Sequence, residues 1–271
     1  MGLRTMLGLK KKKFLPKNKS PYEFKEQEME QLNLLEFGSF GSIELFGKPF
    51  NFHEGRCYYD SYKEIISDKI YQFKSSSSKP YIIDCGANMG LSVLFFAKQY
   101  PNATIIAFEP EAPIFDVLKK NVETYHLGNV QVLKKAVWNE QTTLKFYTDT
   151  GMGGSVENVF SHQEPKLIEA VRLKDYLDKK VDFLKLDIEG AEYAVLQDCK
   201  DELKNVENLF VEYHSFIKKE QHLDDILAML KEAGFRYHLR QSFSRQHPFV
   251  DKLLACENMD MAINIFAYRH D

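Results

Sequence analysis

The sequence predicts an α/β fold built on a doubly wound, mostly parallel sheet. Three observations predict it. Apolar strand runs alternate with helical periodicity from residue 81 onward, the order that yields a parallel sheet covered by helices on both faces. The first of those strands ends in "DCGANMG" (84–90), a glycine-bearing turn that opens a helix where such sheets cradle a ligand. Acids close later strands in "AFEP", "LDIEG" and "VEYH", again at the carboxyl ends where open sheets bind.

Each element follows from its local pattern. "YYDSYKEIISDKIYQF" (58–73) spaces Tyr62, Ile65, Ile66, Ile70 and Phe73 as an amphipathic helix does, and "SSSSKP" (75–80) breaks it before the first strand, 81–84. A helix from about 90 to 99, strand 104–108, helix 114–125 and strand 130–137 complete a β-α-β-α-β run. "TTLKFYT" (142–148) alternates as an extra strand, and the Gly-rich, polar stretch 150–165 reads as a long loop. The order resumes with strand "VDFLKLDIEG" (181–190), helix 191–203, strand 208–214 and helix 223–235 closed by Gly234. Strands 235–240 and 261–269 end the chain with no helix between them, so they are expected to pair antiparallel.

Composition limits the function classes. The chain has 271 residues, 44% hydrophobic and 28% charged, without an apolar run of the ~20 residues that a membrane-spanning helix needs. Cys57, Cys85, Cys199 and Cys256 are widely spaced, so a reducing, cytoplasmic setting is expected. The first 22 residues carry seven basic side chains and no acid, so with a net charge of −3 for the whole chain those seven positive charges leave −10 on the body. An acidic body argues against a nucleic-acid groove. The tail reads either as a solvated extension or as a weak contact with an anionic membrane surface.

The turn 84–90 is not a dinucleotide fingerprint. Gly86 and Gly90 permit close backbone approach and Asp84 can accept from an ammonium or a water, but Asn88 stands where the middle glycine of Gly-x-Gly-x-x-Gly belongs. Glu109 lies at the end of the second strand, placed to accept from ribose hydroxyls. A ribose acid without a pyrophosphate loop points to S-adenosylmethionine instead of NAD.

"YIIDCGANMGLSVLFFAKQYPNATIIAFEPEAPIFDVLKKN", "AVWN", "VDFLKLDIEGAEYAVL" and "VEYH" together resemble the FkbM family of S-adenosylmethionine-dependent methyltransferases, over residues 80–214. The resemblance implies a class I methyltransferase fold, with a seven-stranded, mostly parallel sheet and one antiparallel strand. It implies O-methylation of hydroxyls on sugars, glycans or polyketide-like metabolites, and family analogy suggests a bacterial surface-polysaccharide sugar. Asp84, Gly86, Asn88 and Gly90 match the cofactor loop, Glu109 and Pro110 the ribose end, and Ala136 and Val137 the adenine-side strand end. Asn139 and Glu140 are candidates for the adenine amino group. The expected organisation is a basic tail (1–22), an N-terminal appendage with a helix (23–79) and the methyltransferase domain (80–271).

Methyl transfer to a hydroxyl is an in-line displacement that needs alignment at about 3 Å and removal of a proton. Asp187 and Glu189 stand two apart at one strand end, Glu212 and His214 two apart at another, so each pair can share a face. Two mechanisms fit. His214 is the general base, its tautomer fixed by Glu212 or Asp187; or Asp187, Glu212 and His214 hold a divalent cation, Mg²⁺ or Mn²⁺ by the oxygen-rich ligand set. Glu192 reads as a helix-start acid only. Ser155 and His162 reach substrate if the Gly-rich loop closes, and Tyr58, Tyr59, Tyr62 and Tyr71 are core residues or a sugar-stacking face. A nucleic-acid methyltransferase lacks support in the acidic body, and a catalytically silent cofactor-binding protein is the remaining alternative.

Overall fold

The structure is a computed structural model and describes residues 38–148, 154–155, 165–217, 219–250 and 259–269, with Leu32 and Leu35. The basic tail, His162, the side chain of Ser155, Cys256 and most of the Gly-rich stretch lie outside the described residues.

A hairpin of β1 (Gly41–Leu45) and β2 (Lys48–Phe52) leads into helix α1 (Gly55–Ser61), which continues as a π-helix over Tyr62–Ser67. The main domain follows with β3 (Tyr81–Cys85), α2 (Leu91–Gln99), β4 (Thr104–Phe108), α3 (Ala112–Thr124), β5 (Val130–Leu133), β6 (Ala136–Trp138) and β7 (Thr142–Thr148). Then come β8 (Gly154–Ser155), β9 (Lys166–Arg172), β10 (Val181–Leu186), α4 (Glu192–Cys199), β11 (Val206–Phe216), α5 (Leu223–Glu232), β12 (Arg236–Ser244) and β13 (Met259–Tyr268).

Seven strands form one sheet in the order β12-β13-β11-β10-β3-β4-β5. β13 runs antiparallel to both its neighbours, and the pairs from β11 to β5 are all parallel, as the family resemblance implies. β3 and β10 are buried along their whole length, which is why they read as continuous apolar runs. Alternation sends Ile83, Leu184 and Val211 into the core under α4 and α5, and Ile82, Phe183 and Phe210 into a second core on the other face. That second core is shared with the appendage: Phe50, Tyr58, Tyr62, Ile66 and Tyr71 are buried in it, and Tyr71 meets Phe210 edge-on at 4.8 Å. These tyrosines are core residues, with Tyr59 packed partly buried beside them. Chain order reverses between β3 and β10, so the crevice beyond their ends is the sheet's switch point.

Three expectations need correction. The helix placed at 58–73 begins at Gly55, where the Glu54 carboxylate accepts from the N–H groups of Arg56 and Cys57, and it stops at Ser67. Lys69 then turns the chain with φ +53°, and Tyr71 enters the core from irregular backbone. The strand placed at 130–137 is two strands: the Lys135 N–H turns back to the Leu133 carbonyl, and β6 leaves the main sheet to pair with β9. Helix 191–203 ends at Cys199. The hairpin β1–β2 and strand β9, which extends a small sheet with β6 and β7, were not anticipated. Among the described residues no helix is long and apolar enough to cross a membrane.

Candidate active site

The turn after β3 is fastened to both neighbouring strands. The N–H groups of Gly86 and Ala87 donate to the Phe108 carbonyl at 3.1 and 2.8 Å. Gly86 has φ +85°, and a Cβ there would lie 1.8 Å from the Asp187 carbonyl oxygen; Gly90 has φ +90°, with Leu118 Cδ1 at 2.6 Å from its Cβ position. Backbone contact at Gly86 and the left-handed φ at both positions therefore call for glycine. Asn88, also left-handed at φ +48°, donates from its backbone N–H to Glu109 Oε2 at 3.0 Å, and the Glu111 N–H, just past Pro110, donates to Glu109 Oε1 at 2.9 Å. Glu109 is buried, and that burial pushes its carboxyl up to about 7 against the pull of those two N–H groups.

Asp84 lies beneath this turn, fully buried. It accepts from Ser92 Oγ at 2.6 Å and pairs with the Lys185 ammonium at 3.4 Å. Lys185 also reaches Asp187 Oδ2 at 3.1 Å and the Gly86 carbonyl at 2.7 Å. Burial works against the lysine's charge, but Asp187 and Asp84 outweigh it and hold the ammonium well above its ordinary pKa. One buried cation thus joins the 86–90 turn to the acid at the end of β10. Ala136 and Val137 sit in β6, where Val137 packs with the core residues Phe108, Val171 and Leu173.

The second cluster forms where β10 and β11 run side by side, Leu186 opposite Val211. Asp187, Glu212 and His214 each bring a ligand atom within 4.8 Å of the others. Glu189, at φ +55°, places Oε2 at 3.5 Å from His214 Nε2. The other ring nitrogen, Nδ1, faces Glu192 Oε1 at 3.0 Å. Glu192 is itself fixed by the N–H groups of Ile188 and Gly190 at 3.2 and 3.0 Å. This corrects two expectations: Glu192, rather than Glu212 or Asp187, orients the imidazole, and Glu192 is more than a helix-start acid. Glu212 Oε1 accepts from Ser242 Oγ at 2.7 Å.

Electrostatics follow from this crowding. Burial, then the neighbouring Asp187, Glu212 and Glu192, push Glu189 up to about 8 despite the opposing pull of His214. Burial and Asp187 push Glu212 up to about 7. Burial opposes charge on His214, yet Glu189 and Glu192 outweigh it and carry the imidazole well above 6.5. That direction departs from the unperturbed imidazole expected of it. Lys185 escaped sequence reading although a lysine inside an apolar strand was the available signal, since such a charge survives burial only with acids as partners.

Comparison with known proteins agrees with this architecture. Residues 84–237 match the family model described as the Methyltransferase FkbM domain. "Methyltransferase 1" of Beauveria bassiana (strain ARSEF 2860) is 31% identical over 179 residues, 56% of this chain and 71% of that protein. "Methyltransferase sdnD" of Sordaria araneosa is 30% identical, over 64% of this chain and 80% of that protein. The "31-O-demethyl-FK506 methyltransferase FkbM" of Streptomyces tacrolimicus is 26% identical, over 64% and 80%.

Proposed function

The chain belongs to the FkbM methyltransferase family, an S-adenosylmethionine-dependent methyltransferase by that membership, and we propose that it methylates a hydroxyl of a sugar, glycan or polyketide-like small molecule. The observation that carries this reading is the convergence of Glu189, His214 and Glu192 with Asp187 and Glu212 beside the cofactor turn. The name of the Streptomyces relative, an O-methyl-forming enzyme, supports oxygen as the acceptor atom. A cytoplasmic setting and contact of the basic tail with a membrane surface belong to the same proposal.

The residues present fit the cofactor. Each Glu109 oxygen accepts one backbone N–H, and a carboxylate oxygen retains a second lone pair for a ribose hydroxyl. Bound, S-adenosylmethionine supplies an electrophilic methyl group. Glu109 and the 86–90 turn hold it, and Lys185 keeps that turn in register with Asp187. The acceptor hydroxyl meets Asp187 and Glu212, which accept its hydrogen bond and orient it. Its proton passes to the Glu189–His214 pair once that pair has itself lost a proton, and Glu192 fixes the ring from behind. The three ligand atoms within 4.8 Å also favour a second reading in which a divalent cation acidifies that hydroxyl.

The test is turnover with methyl-labelled S-adenosylmethionine across a panel of hydroxylated sugars and polyketides, with the product methyl located by NMR. A methyl ether, lost in His214→Gln, is expected. Label found on nitrogen or carbon, or no label on any acceptor from a chain that binds S-adenosylmethionine, overturns O-methylation.

A further inference from the structure

We infer that Asp187, Glu212 and His214, completed by Asn264, form a divalent-cation site at the reactive edge of the sheet. The inference rests on the proposed O-methyl transfer and develops its second reading, in which a cation holds the acceptor oxygen.

The geometry begins with the strand register. Leu186 pairs with Val211 as the last step of the parallel ladder, so Asp187, the first residue past β10, leaves the sheet beside Glu212, which shares a strand face with His214. Their ligand atoms lie within 4.8 Å of one another. Around an octahedral Mg²⁺ with bonds of about 2.1 Å, ligands stand roughly 3 to 4 Å apart, so closing on an ion asks only small side-chain movements.

Two further features point to a ligand independently of the acids. Asn264 stands directly across the antiparallel ladder from Glu212, hence on its face, and is 1% exposed. Its Oδ1 has no hydrogen-bond partner, a costly arrangement for a buried carbonyl that a cation relieves. His214 has its Nδ1 held by the buried Glu192 carboxylate, which leaves Nε2 facing the cluster. Metal-bound histidines are oriented in this way, with the far nitrogen donating to a carboxylate that fixes the ring.

Charge and donor chemistry choose the ion. Asp187, Glu189, Glu192 and Glu212 crowd together, and Lys185, the lysine that reaches them, is shared with Asp84. Two carboxylates, an amide carbonyl and one imidazole, with no thiolate among them, suit Mg²⁺ or Mn²⁺. A hydroxyl bound to such an ion is more acidic. With Nε2 committed to the ion, Glu189 is left as the proton acceptor beside it.

The experiment is a titration of the full chain with MnCl₂, followed by calorimetry and by loss of the free Mn²⁺ electron-spin signal, alone and with S-adenosylhomocysteine present. One Mn²⁺ per chain is expected, weakened at least tenfold in the double variant Asp187→Asn, Glu212→Gln and by roughly ten- to a hundredfold in Glu192→Gln. Asn264→Ala weakens binding, and Asn264→Asp, which adds a charge at the same oxygen, strengthens it. Absence of Mn²⁺ binding by a chain that binds S-adenosylhomocysteine overturns the cation site and leaves the methyltransferase reading intact. Equal Mn²⁺ affinity in wild type and in the folded double variant also overturns it.

Discussion

Glu192 Oε1 lies 3.0 Å from His214 Nδ1, so a carboxylate at the start of one helix fixes the imidazole of the neighbouring strand. The same carboxylate gathers the N–H groups of Ile188 and Gly190, which shapes the turn that presents Glu189. Replacing Glu192 with Gln keeps the side chain's size and removes the charge that anchors the ring. We expect the methyl-transfer rate to fall roughly ten- to a hundredfold, with S-adenosylhomocysteine affinity within about twofold of wild type. An unchanged rate contradicts this positioning role.

Lys185→Met leaves Asp84 fully buried beside a lost cation. Breaking a buried pair on one side costs about 3 to 5 kcal/mol, read as a lower urea midpoint. Replacing both groups, in Lys185→Met with Asp84→Asn, is expected to recover part of that loss, because no buried charge is then left alone. A single variant as stable as wild type shows that Asp84 finds another partner.

Tyr71 joins the appendage to the main sheet through Phe210, Phe96 and Phe183. Tyr71→Ala opens a cavity in that shared core, and the expected cost is about 3 to 5 kcal/mol. Unfolding remains a single transition if the appendage and the sheet are one cooperative unit. Two separated transitions in the wild type rule that out.

Glu109 makes cofactor binding pH-dependent. Its carboxyl sits at about 7 in the folded chain against an ordinary 4.5, so between those values the folded state binds more protons than the unfolded one. This group's contribution to stability therefore falls as pH rises from 4.5 through about 7, and Glu109→Gln removes that slope. Ribose hydroxyls donate to the ionised carboxylate, so affinity for S-adenosylhomocysteine is expected to weaken about tenfold per pH unit below 7. Calorimetry between pH 5.5 and 8 reads this directly; affinity flat over that range speaks against the ribose role.

The parallel sheet was legible because β3 and β10 are buried on both faces, and β4 mostly so, and these strands announce themselves as apolar runs. The convergence of Asp187, Glu212 and His214 was legible from period-two spacing at two strand ends. The roles of Glu192, Lys185 and Asn264 were not, because each depends on a partner from another strand or helix that local pattern does not show. The break at Lys134 and Lys135 was hidden for a similar reason: β6 is defined by pairing with β9, 34 residues away. The appendage tyrosines gave the right periodicity over the wrong extent, since Tyr71 is buried by tertiary packing after the helix has ended at Ser67.

The most direct test of the account is calorimetric binding of S-adenosylhomocysteine at pH 8 to the wild type and to Glu109→Ala. The account predicts one site per chain in the wild type and its loss in a variant that remains folded by circular dichroism. No binding by folded wild type, or equal binding by both, contradicts the placement of the cofactor between the 86–90 turn and Glu109.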